Sequence, residues 1–148
     1  WALAVIEEVL RPSDPESHLA NPAAAVDRVV ARYARFGATI TTHVEARPVV
    51  HATQLVLERT MQSVVDNAVR AAGPDGRVDV VVLTEHDELL ILVVDDGPGF
   101  GRIESSTGFG LTVASHLVAT SGGRLTIYDR PGHGCAVELA FRLADQAG

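Results

Sequence analysis

At 148 residues, with 47% apolar and 21% charged side chains, the chain is long enough for one packed core and too apolar for disorder. A formal net charge of −7 argues against nucleic-acid binding, which draws on Lys and Arg to displace counterions. A single cysteine, Cys135, excludes an internal disulfide and any multi-cysteine zinc site, and fits a reducing compartment.

Trp1–Leu10 reads as the end of a helix, with Leu3, Ile6 and Leu10 at helical spacing. The stretch RPSDPESHLANP follows, carries three prolines and reads as a loop or linker. Asn21-Pro22 then opens a helix, because Asn caps well and Pro suits the first helical position. Val26, Val29, Val30 and Tyr33 form its apolar stripe, and Gly37 ends it. Ile40, Thr42 and Val44 alternate as a strand, and a short strand near Val49-Val50 is expected to pair with it.

The longest helix is predicted from about Thr53 to Ala72, with Leu57, Met61, Val64, Val65 and Ala68 facing the core and Gly73-Pro74 stopping it. Arg77–Thr84 and Glu88–Asp95 read as strands joined by the turn Glu85-His86-Asp87. The second is nearly all apolar, as a central strand should be. A helix is predicted from about Gly110 to Ser121, closed by Gly122-Gly123. Strands at Arg124–Tyr128 and Cys135–Leu143 complete the chain. The expected fold class is α/β: a two-layer sandwich with a mixed, mostly antiparallel sheet and its helices on one face. Residues 1–21 read as a helical remnant and linker, and 22–148 as the folded domain.

Three stretches carry chemistry. In VVDDGPGFG, Val93 to Gly101, an apolar strand delivers Asp95 into a glycine-rich chain. A carboxylate there accepts hydrogen bonds and suits the exocyclic amine of adenine, where guanine presents a carbonyl. Gly97 and Gly99 leave room for a flat ring. Alone, the stretch would equally fit a tight turn with a capping Asp. In SSTGFGLTVASHL, Ser105 to Leu117, Gly108 and Gly110 lead into a helix N-terminus, which favours an anion such as phosphate. No Lys-Ser/Thr follows and Val113 stands at the third glycine position, so it is neither a P-loop nor a dinucleotide fingerprint. In MQSVVDNAVRAAG, Met61 to Gly73, Ser63, Asn67 and Arg70 form one polar stripe. Asn67 could ligate Mg²⁺ and Arg70 could meet phosphate oxygens.

Together these stretches resemble the N box and the first two glycine boxes of the ATP-binding domain shared by histidine kinases, DNA gyrase, MutL and the heat-shock chaperone of that superfamily, the Bergerat fold. GHGC, Gly132 to Cys135, resembles the third glycine-containing box, with Cys where the family often has Thr. The resemblance covers roughly Ala23 to Leu143 and implies ATP and Mg²⁺ as ligands. It puts Mg²⁺ on Asn67, phosphate on Arg70 and the adenine amine on Asp95, with Gly97 and Gly99 beside the ring. Gly108, Gly110 and Leu111 would close over the phosphates. A short lid, Gly101–Thr107, would add Arg102 as a second phosphate contact, and Ser63 and Thr107 complete the ATP-binding set.

The gyrase and MutL branch carries a Glu four residues before the Mg²⁺-binding Asn, as general base. Ser63 stands there, and Asp66 lies about 100° round the helix from Asn67. Without a base, ATP should be held for transfer rather than hydrolysed. The resemblance therefore favours a protein histidine kinase, donating the γ-phosphate to a histidine on a separate dimerisation domain of the same protein, with a response regulator downstream. The full-length protein would be a homodimer and this domain cytoplasmic. No apolar run approaches the roughly 18–20 residues that span a bilayer, so any membrane anchor must lie elsewhere. Trp1 in place of Met suggests a piece of a longer chain.

His86-Asp87-Glu88-Leu89 mimics a phosphoacceptor but falls in a strand-to-strand turn. His18, His43, His51, His116 and His133 have no partners at catalytic or metal spacing. The acceptor is expected outside these residues. Two alternatives stay open: an anti-sigma serine kinase with the same ATP site, and a degenerate protein-binding module that takes no ATP.

Overall fold

The computed structural model describes residues 19–97, 106–130 and 134–144. The expected helix at Trp1–Leu10 lies outside them. Helix α1 spans Pro22–Ala34, with Asn21 Oδ1 accepting the Ala24 N–H at 3.2 Å and Pro22 in the first turn. Helix α2 spans Gln54–Ala72, capped by Thr53, whose side chain accepts the Val56 N–H at 3.1 Å. Helix α3 spans Ser106–Thr120. The strands are β1 (Leu19–Ala20), β2 (Thr39–Val44), β3 (Val50–His51), β4 (Arg77–Glu85), β5 (Glu88–Asp95), β6 (Arg124–Arg130) and β7 (Gly134–Arg142).

The main sheet has five strands in the order β2-β4-β5-β7-β6. The β2–β4 pair is parallel and the others antiparallel. Val78, Val80, Leu89, Ile91, Val93, Val137, Leu139 and Phe141 are buried in one core with Val26, Leu57, Met61, Val64, Val65, Leu111, Ala114 and Val118 of the helices. All three helices therefore cover one face, and the predicted two-layer sandwich is what forms. Fully burying each such side chain contributes about 1.5–3 kcal/mol, so the core outweighs any single loop preference. The opposite face carries charge, including Arg124, which meets Glu88 through two bonds at 2.6 and 2.9 Å.

Two sequence expectations are corrected. The strand near Val50 does not pair with β2. It pairs antiparallel with Leu19–Ala20, inside what reads as linker, and Ala20 and Val50 are both buried. Strand β2 pairs instead with β4, in register from Thr39↔Arg77 to Val44↔Val82, because α2 serves as the crossover that a parallel pair requires. Second, α3 starts at Ser106, not near Gly110. An interior glycine costs a helix only about 1 kcal/mol against Ala. Packing of Leu111, Ala114 and Val118 into the core outweighs that, and the helix runs on through Gly108 and Gly110.

Helix α2 carries Ser63, Asn67 and Arg70 of the expected site, so its cap is a sensitive point. Thr53→Ala should cost about 1 kcal/mol and lower the melting temperature by roughly 2–4 °C in a thermal melt, with no change in oligomeric state.

Candidate nucleotide site

Asp95 is the last residue of β5, the central strand, and alternation puts it on the same face as Leu89, Ile91 and Val93. Its neighbour Asp96 turns outward and ties the strand end to β4: the Arg77 N–H donates to its Oδ1 at 2.9 Å. Only Asp95 faces the helix layer, at 3% exposure. The Gly97 N–H donates to its Oδ1 at 2.9 Å, and the Cys135 N–H donates to the same carboxyl group. An ionised carboxylate has about four lone-pair sites, so two donors leave capacity to accept more. Burial pushes its pKa above the usual carboxylate range; the Gly97 and Cys135 N–H groups partly offset this, and the charge of Asp96 adds to it.

Gly97 passes against the end of α2. A Cβ there would sit 2.3 Å from the Ala71 carbonyl oxygen, so the residue type is fixed by the helix end. Sequence reasoning leaves the room at Gly97 for a flat ring; on the side where a Cβ would stand, the backbone of α2 takes it instead. Ala71 lies one turn beyond Asn67, and the i, i+4 relation puts both on one helix face. The contact thus brings the Asp95 end of β5 against the last turn of α2, one turn beyond Asn67.

Asn67 is 6% exposed, and its Oδ1 is buried with no hydrogen-bond partner. Such an orphan acceptor costs about 1–3 kcal/mol and points to a ligand or water. Ser63 is half-buried one turn earlier. Arg70 is exposed, and its Nε donates to Asp66 Oδ2 at 2.8 Å. On α3, Leu111 is buried in the core. Because α3 starts at Ser106, the N–H groups left free by the helical pattern belong to its first four residues, which include Thr107 and Gly108. The N–H of Gly110 lies just past them.

Gly99 and Arg102 lie outside the described residues, as do residues 101–105 of the expected lid Gly101–Thr107, whose last two residues, Ser106 and Thr107, begin α3 instead. His86 has φ 58° in the β4–β5 hairpin turn, as expected of a turn residue and not of a helical phosphoacceptor. The contacts of two residues already singled out escaped sequence reasoning. One is Gly134, at φ +96°, where a Cβ would lie 1.8 Å from the Asp95 carbonyl oxygen. The other is Asp66, whose oxygens are taken by Tyr33 and Arg70. The spacing of Asp66 and Arg70 was a usable signal for the second. The Cys-for-Thr departure at Cys135 matters little to this contact, since it is the main chain that meets Asp95.

A family profile described as "Histidine kinase-, DNA gyrase B-, and HSP90-like ATPase" matches residues 52–145. The chain is 29% identical over 152 residues to the probable sensor histidine kinase HK of Mycobacterium tuberculosis, covering 88% of this chain and 40% of that protein. It is 26% identical over 102 residues to the alginate biosynthesis sensor protein KinB of Pseudomonas aeruginosa, covering 59% of this chain and 17% of that protein. The chain thus spans less than half the length of either relative. Among solved structures, the mycobacterial sensor histidine kinase MprB superposes with a TM-score of 0.75 at 22% identity, covering 86% of this chain and 98% of that one. That likeness concerns the fold, and it agrees with the observed sheet order and helix layer. The profile spans α2, the Asp95 strand and the last strands, which are the elements that build the site, and the chain belongs to the histidine kinase-, DNA gyrase B- and HSP90-like ATPase family.

Proposed function

We propose that the residues from β1 onward form the ATP-binding catalytic domain of a sensor histidine kinase, since β1 pairs with β3 and buries Ala20, with residues 1–18 its link to the rest of the protein. The observation that carries this is a buried Asn67 Oδ1 with no hydrogen-bond partner, on the helix whose last turn packs against Gly97, two residues beyond the buried Asp95 carboxylate. In this reading Asp95 takes the adenine amine, and Gly97, Gly99 and Leu111 border the nucleotide. Ser63, Arg70, Arg102, Thr107, Gly108 and Gly110 face the phosphates.

The donor set fits Mg²⁺. Asn67 offers one neutral oxygen, and Mg²⁺ characteristically takes few protein ligands beside phosphates and water. Among the described residues no group of three or more His, Cys, Asp or Glu could hold a metal, so an all-protein cage is not built there. When bound, the ion would neutralise charge on the phosphates. The chain's own residues orient the purine, hold the phosphate end and present the γ-phosphate outward. Asp66 cannot serve as a free base for water, since Tyr33 and Arg70 occupy it. The γ-phosphate is therefore held for a nucleophile from elsewhere: a histidine on a dimerisation domain of the same protein, which passes the phosphoryl group to a response regulator. The whole protein acts as a homodimer. Among the described residues no helix is long and apolar enough to cross a membrane.

Isothermal titration with a non-hydrolysable ATP analogue tests the site. Affinity of the wild-type chain should rise on adding Mg²⁺. Asn67→Ala should abolish that increment, a loss on the order of tenfold or more, since even a group behind a metal ligand typically costs that much. An equal Mg²⁺ increment in the variant would remove Asn67 from the site.

A further inference from the structure

We propose that Tyr33 and Asp66 are positioning residues for the phosphate end of the nucleotide, acting through Arg70; this rests on the nucleotide reading above. The Tyr33 hydroxyl, on α1, donates to Asp66 Oδ1 at 2.8 Å. Arg70 Nε donates to Asp66 Oδ2 at 2.8 Å. Each carboxylate oxygen thus holds a different element, and the chain Tyr33–Asp66–Arg70 fixes the guanidinium between α1 and α2. The three residues line one cleft with Ser63, Val113 and Leu117, and Ser63 lies one turn from Asn67.

The pair does little for stability. The Arg70 side chain is 62% exposed, and an exposed i, i+4 pair contributes little. Its geometry is informative instead. Arg70 is held through Nε alone, which leaves both terminal nitrogens as the fork that meets phosphate oxygens. A long side chain otherwise loses rotamer freedom when it binds, and one already held loses less. Burial and the bond to Asp66 push the Tyr33 hydroxyl up to about 12, so it stays a donor throughout the working pH range.

The sign of one substitution separates positioning from charge. On charge alone, removing the Asp66 carboxylate beside a polyphosphate would tighten binding. Positioning predicts the reverse. Affinities for the Mg²⁺-ATP analogue and for adenosine are measured by titration on this chain, with melting temperatures as the folding control. Asp66→Ala should weaken triphosphate binding about fivefold, from the loss of both hydrogen bonds to Asp66, and Tyr33→Phe, which alters no charge at neutral pH, about threefold, from the loss of one. Adenosine affinity should not move. In an Arg70→Ala background neither change should have a further effect. Tighter or unchanged triphosphate binding in Asp66→Ala overturns the proposal, as does an equal loss for adenosine. If Arg70→Ala leaves triphosphate affinity intact while Asp95→Asn still abolishes it, the positioning role falls and the nucleotide site stands. If no nucleotide binds the wild-type chain, both fall.

Discussion

Asp95→Asn is expected to weaken binding of an ATP analogue by at least about 30-fold while leaving the domain folded. Asp95 is an acceptor-only group at the end of a central strand, 3% exposed, with the N–H of Gly97 on its Oδ1 at 2.9 Å. Its remaining lone pairs suit the donor on adenine. Asparagine keeps one oxygen, which the Gly97 N–H can still use, and puts an amide NH₂ where the second oxygen stood. Donor then faces donor. A charge-assisted hydrogen bond contributes about 1.5–3 kcal/mol, and 1.4 kcal/mol is tenfold, so the lost bond and the new repulsion together exceed 30-fold. Stability should move differently. Asp95 has its folded pKa raised, chiefly by burial. A raised acid favours its neutral form on folding, so its contribution to stability is present below the usual carboxylate range and lost as pH rises through the folded value. The variant has no such loss. Its melting temperature without nucleotide, compared at pH 4.5 and pH 7, should fall less across that interval than that of the wild-type chain, and at pH 7 it should not drop. Undiminished nucleotide affinity in Asp95→Asn would remove the central acceptor from the reading.

What was legible in the sequence is what local physics writes there. The capping residue Asn21 and the apolar stripes of the two segments place α1 and α2, while the capping role of Thr53 appears only in the structure. Alternation and the apolar run at Glu88–Asp95 place the central strand, and with it the acid at its end. The misplaced pieces depend on partners distant in the chain. Nothing near Val50 says that it will pair with Leu19–Ala20, and the parallel β2–β4 match follows only once α2 is known to cross over. The start of α3 was hidden because glycines read as breakers, whereas burial of Leu111, Ala114 and Val118 settles where that helix runs. Gly97 shows the same limit at one residue. A close approach was foreseeable, but that the Ala71 carbonyl makes it is a tertiary fact. Tyr33 and Asp66 meet across 33 residues, a contact that no local pattern predicts.

Gly134→Ala should be the most damaging single change near the site, and the reason is geometric. At φ +96° the residue already lies where side chains are strained, a cost of about 1–3 kcal/mol. A Cβ would also fall 1.8 Å from the Asp95 carbonyl oxygen and 3.0 Å from the Asp96 Cα, both main-chain atoms with no rotamer to yield. Either β7 must back away from β5 at the Asp95↔Cys135 pair, or the end of β5 must bend. The expected loss is about 3 kcal/mol or more, a fall in melting temperature of roughly 6–12 °C for a domain of this size. Nucleotide affinity should fall with it, because the Cys135 N–H that braces the Asp95 carboxyl group moves as β7 moves. Gly122→Ala separates clash from conformation. Gly122 also has positive φ, at +77°, but a Cβ there meets nothing within 4 Å. It should cost only about 1 kcal/mol and leave nucleotide affinity unchanged. Equal effects of the two substitutions on both readouts would mean that the approach of Gly134 to Asp95 does not shape the site.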